Sequence, residues 1–277
     1  MMMSTFSISA RNKRLHMPDH LTFIQSHAKM YGGIDIQQVD GVYGYLEEGP
    51  KAPLYGGRVL DDNKEPELYL EDVQFLYSNN IGIKIPLSAY PKYTEQEYQE
   101  TKPLLEIYHE EINTVIVAID ELALRIRQDF PKFKIEASAV RNINNITKFN
   151  SVVDIYDIVC LPLEANDNLE FLQEIPDKSK VRLFVNAECS YNCPNKICYK
   201  SISEVNKGDL KTTTCSAYGL KMPRKFYKDD IDWTKFYFPI KDYEDMGYSL
   251  FKVLSPRDTI GNVRFMYSDF YKDKQEK

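Results

Sequence analysis

From residue 81 the chain alternates short apolar runs with longer stretches whose apolar positions recur at helical spacing. Residues 81–87, 114–119, 133–138, 157–162 and 181–185 form the runs, rich in Val and Ile, as expected of strands covered on both faces. Residues 94–110, 121–128, 142–150 and 168–175 read as the amphipathic helices between them. A strand recurring every 20 to 30 residues or so predicts βα units on a parallel sheet.

Upstream, GVYGYLE at 41–47 is a strand candidate and 66–77 has helical spacing; downstream, 232–240, 248–254 and 263–267 are strand or short-helix candidates. Five strands between residues 81 and 185 favour an α/β TIM-barrel-like (βα)8 fold, or a variant of it, in a single domain. The usual size of such a barrel, about 250 residues, suits a chain of 277. A doubly wound sheet with a C-terminal appendage is the alternative. The first 30 or so residues are polar, basic at Arg11, Lys13 and Arg14, and carry three of the four histidines, so they receive little weight in the fold. The expected organisation is a polar arm or first element over 1–35, the barrel over 36–271 and a polar tail over 272–277.

Composition narrows the class. A hydrophobic fraction of 43% with 20 Tyr and 14 Phe excludes a disordered tail or a fibre. Thirty-five basic against 41 acidic residues give a formal charge of -6, which offers no general attraction to phosphate backbones. No run approaches the roughly 18 apolar residues of a membrane span, and the first methionines are followed by no apolar block. The expectation is a soluble, cytoplasmic protein without a membrane partner.

The cysteines carry the sharpest chemical signal. Cys189, Cys193, Cys198 and Cys215 fall close together just beyond the 181–185 strand, whereas Cys160 sits in an apolar run as a core thiol. In parallel βα architectures the loops beyond the strands' C-terminal ends hold the chemistry. Four thiols there suit a tetrahedral metal or cluster site. C-x3-C-x4-C is neither the usual zinc hairpin nor the ferredoxin run, and the reading favours [4Fe–4S] over zinc, with no metal as the remaining option.

Ala137-Ser138 after one strand, Tyr156-Asp157 before the next, and Val185-Asn-x-x-Cys189 followed by Cys193-Pro194 resemble the U32 peptidase-like proteins, including their ubiquinone-biosynthesis and RNA hydroxylation members. The resemblance implies a TIM-barrel-like fold, a four-cysteine iron–sulfur site at Cys189, Cys193, Cys198 and Cys215, and oxygen-independent hydroxylation of a small aromatic or RNA substrate. The family's histidine after Cys-Pro is absent here, although Tyr199 is present.

Other candidates are placed by position. Glu188 beside the first cysteine is a candidate acid or base. Arg141 and Arg257, each after a predicted strand, are candidates to hold an anionic substrate at the same mouth. Gly56-Gly57-Arg58 reads as a turn, and Asp120 and Glu164 read as helix-start residues. Phosphate-loop, dinucleotide, zinc-protease and serine-hydrolase motifs are absent from the sequence. Two rival readings remain. One is a scaffold or interaction protein whose four cysteines hold a structural zinc ion, and the other is an RNA-binding module using Arg224, Lys225, Lys228, Lys235 and Lys241 among aromatics.

Overall fold

The structure, a computed structural model, describes residues 3–10, 16–21, 36–47, 53–57, 66–185, 196–214, 238 and 240–254. Eight parallel strands close into a barrel in chain order. They are β1 (Thr5–Ser9), β2 (Val39–Tyr43), β3 (Gly82–Leu87) and β4 (Thr114–Val117), then β5 (Lys134–Ala137), β6 (Ile158–Cys160), β7 (Val181–Phe184) and β8 (Leu250–Val253). The barrel closes where β1 pairs with β8, with Phe6 opposite Phe251 and their rings stacked at 5.6 Å. This is the (βα)8 barrel that the periodicity predicts; the doubly wound alternative is excluded by closure.

Helices α1 (Leu70–Ser78), α2 (Glu95–Ile107), α3 (Asp120–Asp129), α4 (Ile146–Asn150), α5 (Leu169–Glu174), α6 (Cys198–Asn206) and α7 (Ile240–Asp245) accompany the strands. Their starts are written in side chains that occupy orphan backbone groups. Thr94 Oγ1 accepts from Glu97 N at 3.2 Å while Thr94 N donates to Glu97 at 2.6 Å, a reciprocal capping box. Asn145 and Asn168 cap α4 and α5 through their side-chain oxygens. Buried Asp72 accepts from Tyr69 N at the start of α1 and from Met17 N at 2.8 Å, tying the N-terminal segment to the barrel wall.

Alternate strand residues face opposite ways. Ile8, Val42, Ile83, Ile85, Val115, Val117, Ile135, Val159, Val181, Leu183 and Phe251 belong to one continuous apolar core together with helix residues such as Leu76, Leu104, Leu105, Leu122 and Phe171. The other set carries the polar groups: Ser7, Lys84, Glu136, Arg182 and Lys252 are all buried, beside apolar members such as Ile116 and Phe184. That alternation explains β1. The run TFSIS looks like a polar arm, yet Phe6 and Ile8 are buried among the core while Ser7 is fully buried opposite Gly41 and Lys252. The stretch read as a polar arm or first element thus contains the barrel's first stave.

The 248–254 candidate contains β8, Ile240 of the 232–240 candidate begins α7, and residues 232–237 lie outside the described residues. The 263–267 candidate lies outside the described residues. Among the described residues no helix is long and apolar enough to cross a membrane.

Candidate active site at the barrel mouth

Among the described residues one polar centre lies inside the barrel and another at its mouth. Inside, Arg182 on β7 reaches Glu136 on β5 at 3.0 Å, Asp40 on β2 at 2.5 Å and the carbonyl of Phe251 on β8 at 2.9 Å. Lys84 on β3 pairs with Asp40 at 3.2 Å and with Glu136 at 3.4 Å. Lys252 on β8 lies 3.6 Å from Glu136 and 4.6 Å from the centre of the Tyr43 ring, whose hydroxyl donates to the Val253 carbonyl. Gly41 leaves room for the Lys84 stem, since a Cβ there would stand 2.5 Å from Lys84 Cε.

Burial raises the Glu136 carboxyl, but Arg182, Lys84 and Lys252 outweigh it and hold the group at about 2. Asp40 is likewise lowered, with burial opposed by Arg182 and Lys84. Burial and then Arg182 push the Lys84 ammonium down against the pull of Asp40 and Glu136. Cys160 lies in this environment, its thiol pushed up to about 11 chiefly by burial. These groups lie within the strands, not beyond their C-terminal ends, and Lys84, Glu136 and Arg182 show at most 2% of their side chains. Such a cluster fixes the packing of five staves, with Asp40, 23% of whose side chain is exposed, as its most accessible member.

The mouth is different. A cavity of about 370 Å³ opens between the loops after β3, β5, β6 and β7, lined by Tyr90, Val140, Asn142, Glu164, Lys196, Tyr199 and Lys200 among others. Ligand sites of (βα)8 barrels lie at this end. The β5 wall is a 3-10 turn over Ala139–Arg141, started by Ser138 Oγ accepting from Val140 N at 3.3 Å and ended by Asn142 in the left-handed region at φ 56°. It is clamped from outside. Arg141 Nε and Nη2 donate to the two oxygens of Asp120, at 3.1 and 2.9 Å, and the Tyr156 hydroxyl donates to Asp120 at 2.8 Å. Burial raises the Asp120 carboxyl, but the bonds from Arg141 and Tyr156 bring it below the usual range.

On the β6 side, Glu164 stands in the turn Leu163–Asp167 and pairs through Oε1 with Lys196. Its other oxygen, Oε2, is shut off from bulk water and has no hydrogen-bond partner among the described residues. Lys196 holds a left-handed backbone at φ 46°, a conformation costly for a side chain with a Cβ and concentrated at functional sites. The Ser203 hydroxyl oxygen of α6 accepts from Tyr90 N at 3.0 Å, and Asn206 donates to the Tyr55 carbonyl at 2.9 Å, so α6 straps β7's loop to those after β2 and β3. Gly56 packs against Ser88, where a Cβ would stand 2.5 Å from the Ser88 carbonyl, and Gly57 takes a left-handed backbone at φ 84°; Arg58 lies outside the described residues.

Several expectations change. The four-cysteine site is corrected: among the described residues no group of three or more His, Cys, Asp and Glu side chains is placed to hold a metal ion. Cys198 is the first residue of α6 and partly buried, while Cys189, Cys193 and Cys215 lie outside the described residues. The [4Fe–4S] cluster, its zinc alternative and the hydroxylation chemistry tied to it are therefore withdrawn. Of the cations named for RNA, Lys241 pairs with Asp245 at 2.6 Å, the others lie outside the described residues, and that reading is withdrawn with the rest of the functional assignment. Glu188 and Arg257 also lie outside the described residues. Arg141 flanks the cavity without lining it. Asp120 is the first residue of α3, as expected, but also the anchor of Arg141.

No family model and no curated protein matches the sequence. Among solved structures the chain is similar to one titled "The Structure of the U32 Peptidase Mk0906", at 10% identity over 93% of this chain and 95% of that one, with a TM-score of 0.56. At that identity the likeness extends to the barrel and not to its chemistry.

Proposed function

We propose that the protein is a (βα)8 barrel that binds a small polar molecule, the reactant of an enzyme of this fold class, in the cavity at its C-terminal mouth. The observation that carries this reading is the coincidence of the cavity with Glu164 and Lys196, a carboxylate with one oxygen lacking a donor among the described residues and an ammonium on a left-handed backbone. Both features cost stability and persist where the surroundings hold them. In this reading Arg141 is a positioning residue: through Asp120 and Tyr156 it fixes the turn that carries Val140 and Asn142. The peptidase name belongs to the structural neighbour, and no nucleophile is assigned from it.

Plugging the cavity tests the reading. A fragment screen by ligand-observed NMR, using small amines, carboxylates and amino acids against the full chain, should give hits that Val140→Trp loses. Hits that survive a correctly folded Val140→Trp would place binding elsewhere and overturn it.

A further inference from the structure

One helix at the mouth is held differently from the rest. α6 buries Ser201 and Ser203 and no apolar side chain, whereas every other helix among the described residues buries at least one. No residue of 196–214 belongs to the continuous apolar core. The described attachments of α6 to the barrel are polar. The Tyr90 N–H donates to Ser203 Oγ at 3.0 Å, and Asn206 Nδ2 donates to the Tyr55 carbonyl at 2.9 Å. Lys207 Nζ donates to the Lys92 carbonyl at 2.7 Å and pairs with Glu97 at 3.0 Å. Ser201 Oγ donates to the Thr214 carbonyl and accepts from its N–H, both at 3.0 Å, so the chain at Thr214 is tied to the helix itself.

The two kinds of attachment come apart at different cost. Undocking a helix that packs on the core exposes apolar surface, whereas a hydrogen bond released near the surface is exchanged for one to water at little net loss. Segments with few buried apolar contacts therefore open far more readily than the whole domain unfolds. α6 and the two residues before it also supply one side of the cavity, through Lys196, Ile197, Tyr199 and Lys200, while the loops after β3, β5 and β6 supply the other.

We propose that α6, with the chain tied to it at Thr214, is a lid over the mouth, lifting as one body from the loops after β2 and β3 while the barrel stays folded. Ser203, Asn206 and Lys207 are its latches, each closing on a different point of the rim. That its lifting admits a ligand to the cavity rests on the mouth being the binding site; the motion itself does not.

Amide hydrogen exchange of the full chain, followed by NMR, tests the lid. The Tyr90 N–H stands on the rim and is covered by Ser203 of the lid, so its protection should be at least about a hundredfold lower than that of the α3 amides, in a helix packed on the core. Asn206→Ala removes the latch to Tyr55, on a different loop from Tyr90. It should nonetheless speed exchange at Tyr90 about fivefold or more, as should Lys207→Met, with the α3 amides unchanged. Protection at Tyr90 equal to that of α3 would overturn the lid. So would a Tyr90 amide that ignores Asn206→Ala, because latches that open independently do not belong to one moving body. Neither result touches the mouth reading, which stands or falls on whether fragment hits are lost in Val140→Trp.

Discussion

Inside the barrel, Asp40, Lys84, Glu136, Arg182 and Lys252 answer one another across five strands. At the mouth, charged groups face a cavity, and Glu164 Oε2 has neither a hydrogen bond nor an ion pair among the described residues, whereas Asp40 Oδ1 and Glu136 Oε1, also without hydrogen bonds, lie 3.2 Å from Lys84 and 3.6 Å from Lys252. The same side-chain types thus serve opposite ends. Where each charge is enclosed and paired, removing one leaves others stranded in a medium that solvates them poorly. Where pairing is incomplete and space adjoins it, removal costs the fold little and the ligand much. Partnering and access separate the two regions, not charge.

The largest effect expected is at Arg182. Arg182→Met should remove about 3–5 kcal/mol of unfolding free energy, because Glu136 and Asp40 lose their shared partner; urea denaturation measures it, and a loss under about 1 kcal/mol would deny that the cluster is closed. Joint replacement, Arg182→Met with Glu136→Leu, keeps the Lys84–Asp40 pair and should recover part of that loss.

Acid comes next. The Glu136 carboxyl is held at about 2, against 4.5 for an ordinary glutamate. Its folded value is depressed, so its contribution is fully present above pH 4.5 and fades as pH falls through about 2. At about 1.36 kcal/mol per unit this amounts to about 3 kcal/mol. Denaturation midpoints between about pH 6 and pH 2 should fall in wild type and fall less in Glu136→Gln; parallel curves would contradict the assignment.

A smaller effect is expected at the clamp. Arg141→Gln should cost about 1–2 kcal/mol by leaving Asp120 with Tyr156 alone, and should weaken fragment binding in the cavity by loosening the turn that carries Val140 and Asn142. Binding unchanged in a variant that has lost this stability would contradict the positioning role. The smallest effect is at Ser7, buried with its hydroxyl lacking a partner among the described residues. Ser7→Ala should leave the melting temperature unchanged or slightly raised, since no hydrogen bond is lost.

The barrel was legible in the sequence because its outward strand residues are apolar, Val, Ile and Leu above all, between capped amphipathic helices. Its interior was also written there, as a charge flanked on both sides by apolar residues in each of four runs: Lys84 in IGIKIPL, Glu136 in KIEA, Arg182 in VRLF and Lys252 in LFKV. A lone charge in a doubly covered strand can only face inward, and it requires a partner of opposite sign. Period-2 reading of TFSIS in the same light would have found β1. The clamp was half visible, since Arg141 and Asp120 were placed by position, but their pairing depends on the angle between two neighbouring loops. The Glu164–Lys196 pair joins residues 32 positions apart and left no local pattern. The cysteine spacing drew attention to the β7 loop, where Lys196, Tyr199 and Lys200 line the cavity, although the metal chemistry read from it is not supported.

The most direct test of the contrast is to neutralise one carboxylate in each region and measure both stability and ligand binding. Glu136→Gln should lose about 3 kcal/mol or more of unfolding free energy and, where still folded, keep fragment binding in the cavity. Glu164→Gln should lose less than about 1 kcal/mol and weaken that binding. Equal stability losses, or fragment binding that follows Glu136 and ignores Glu164, would contradict the division between a paired interior and a working mouth.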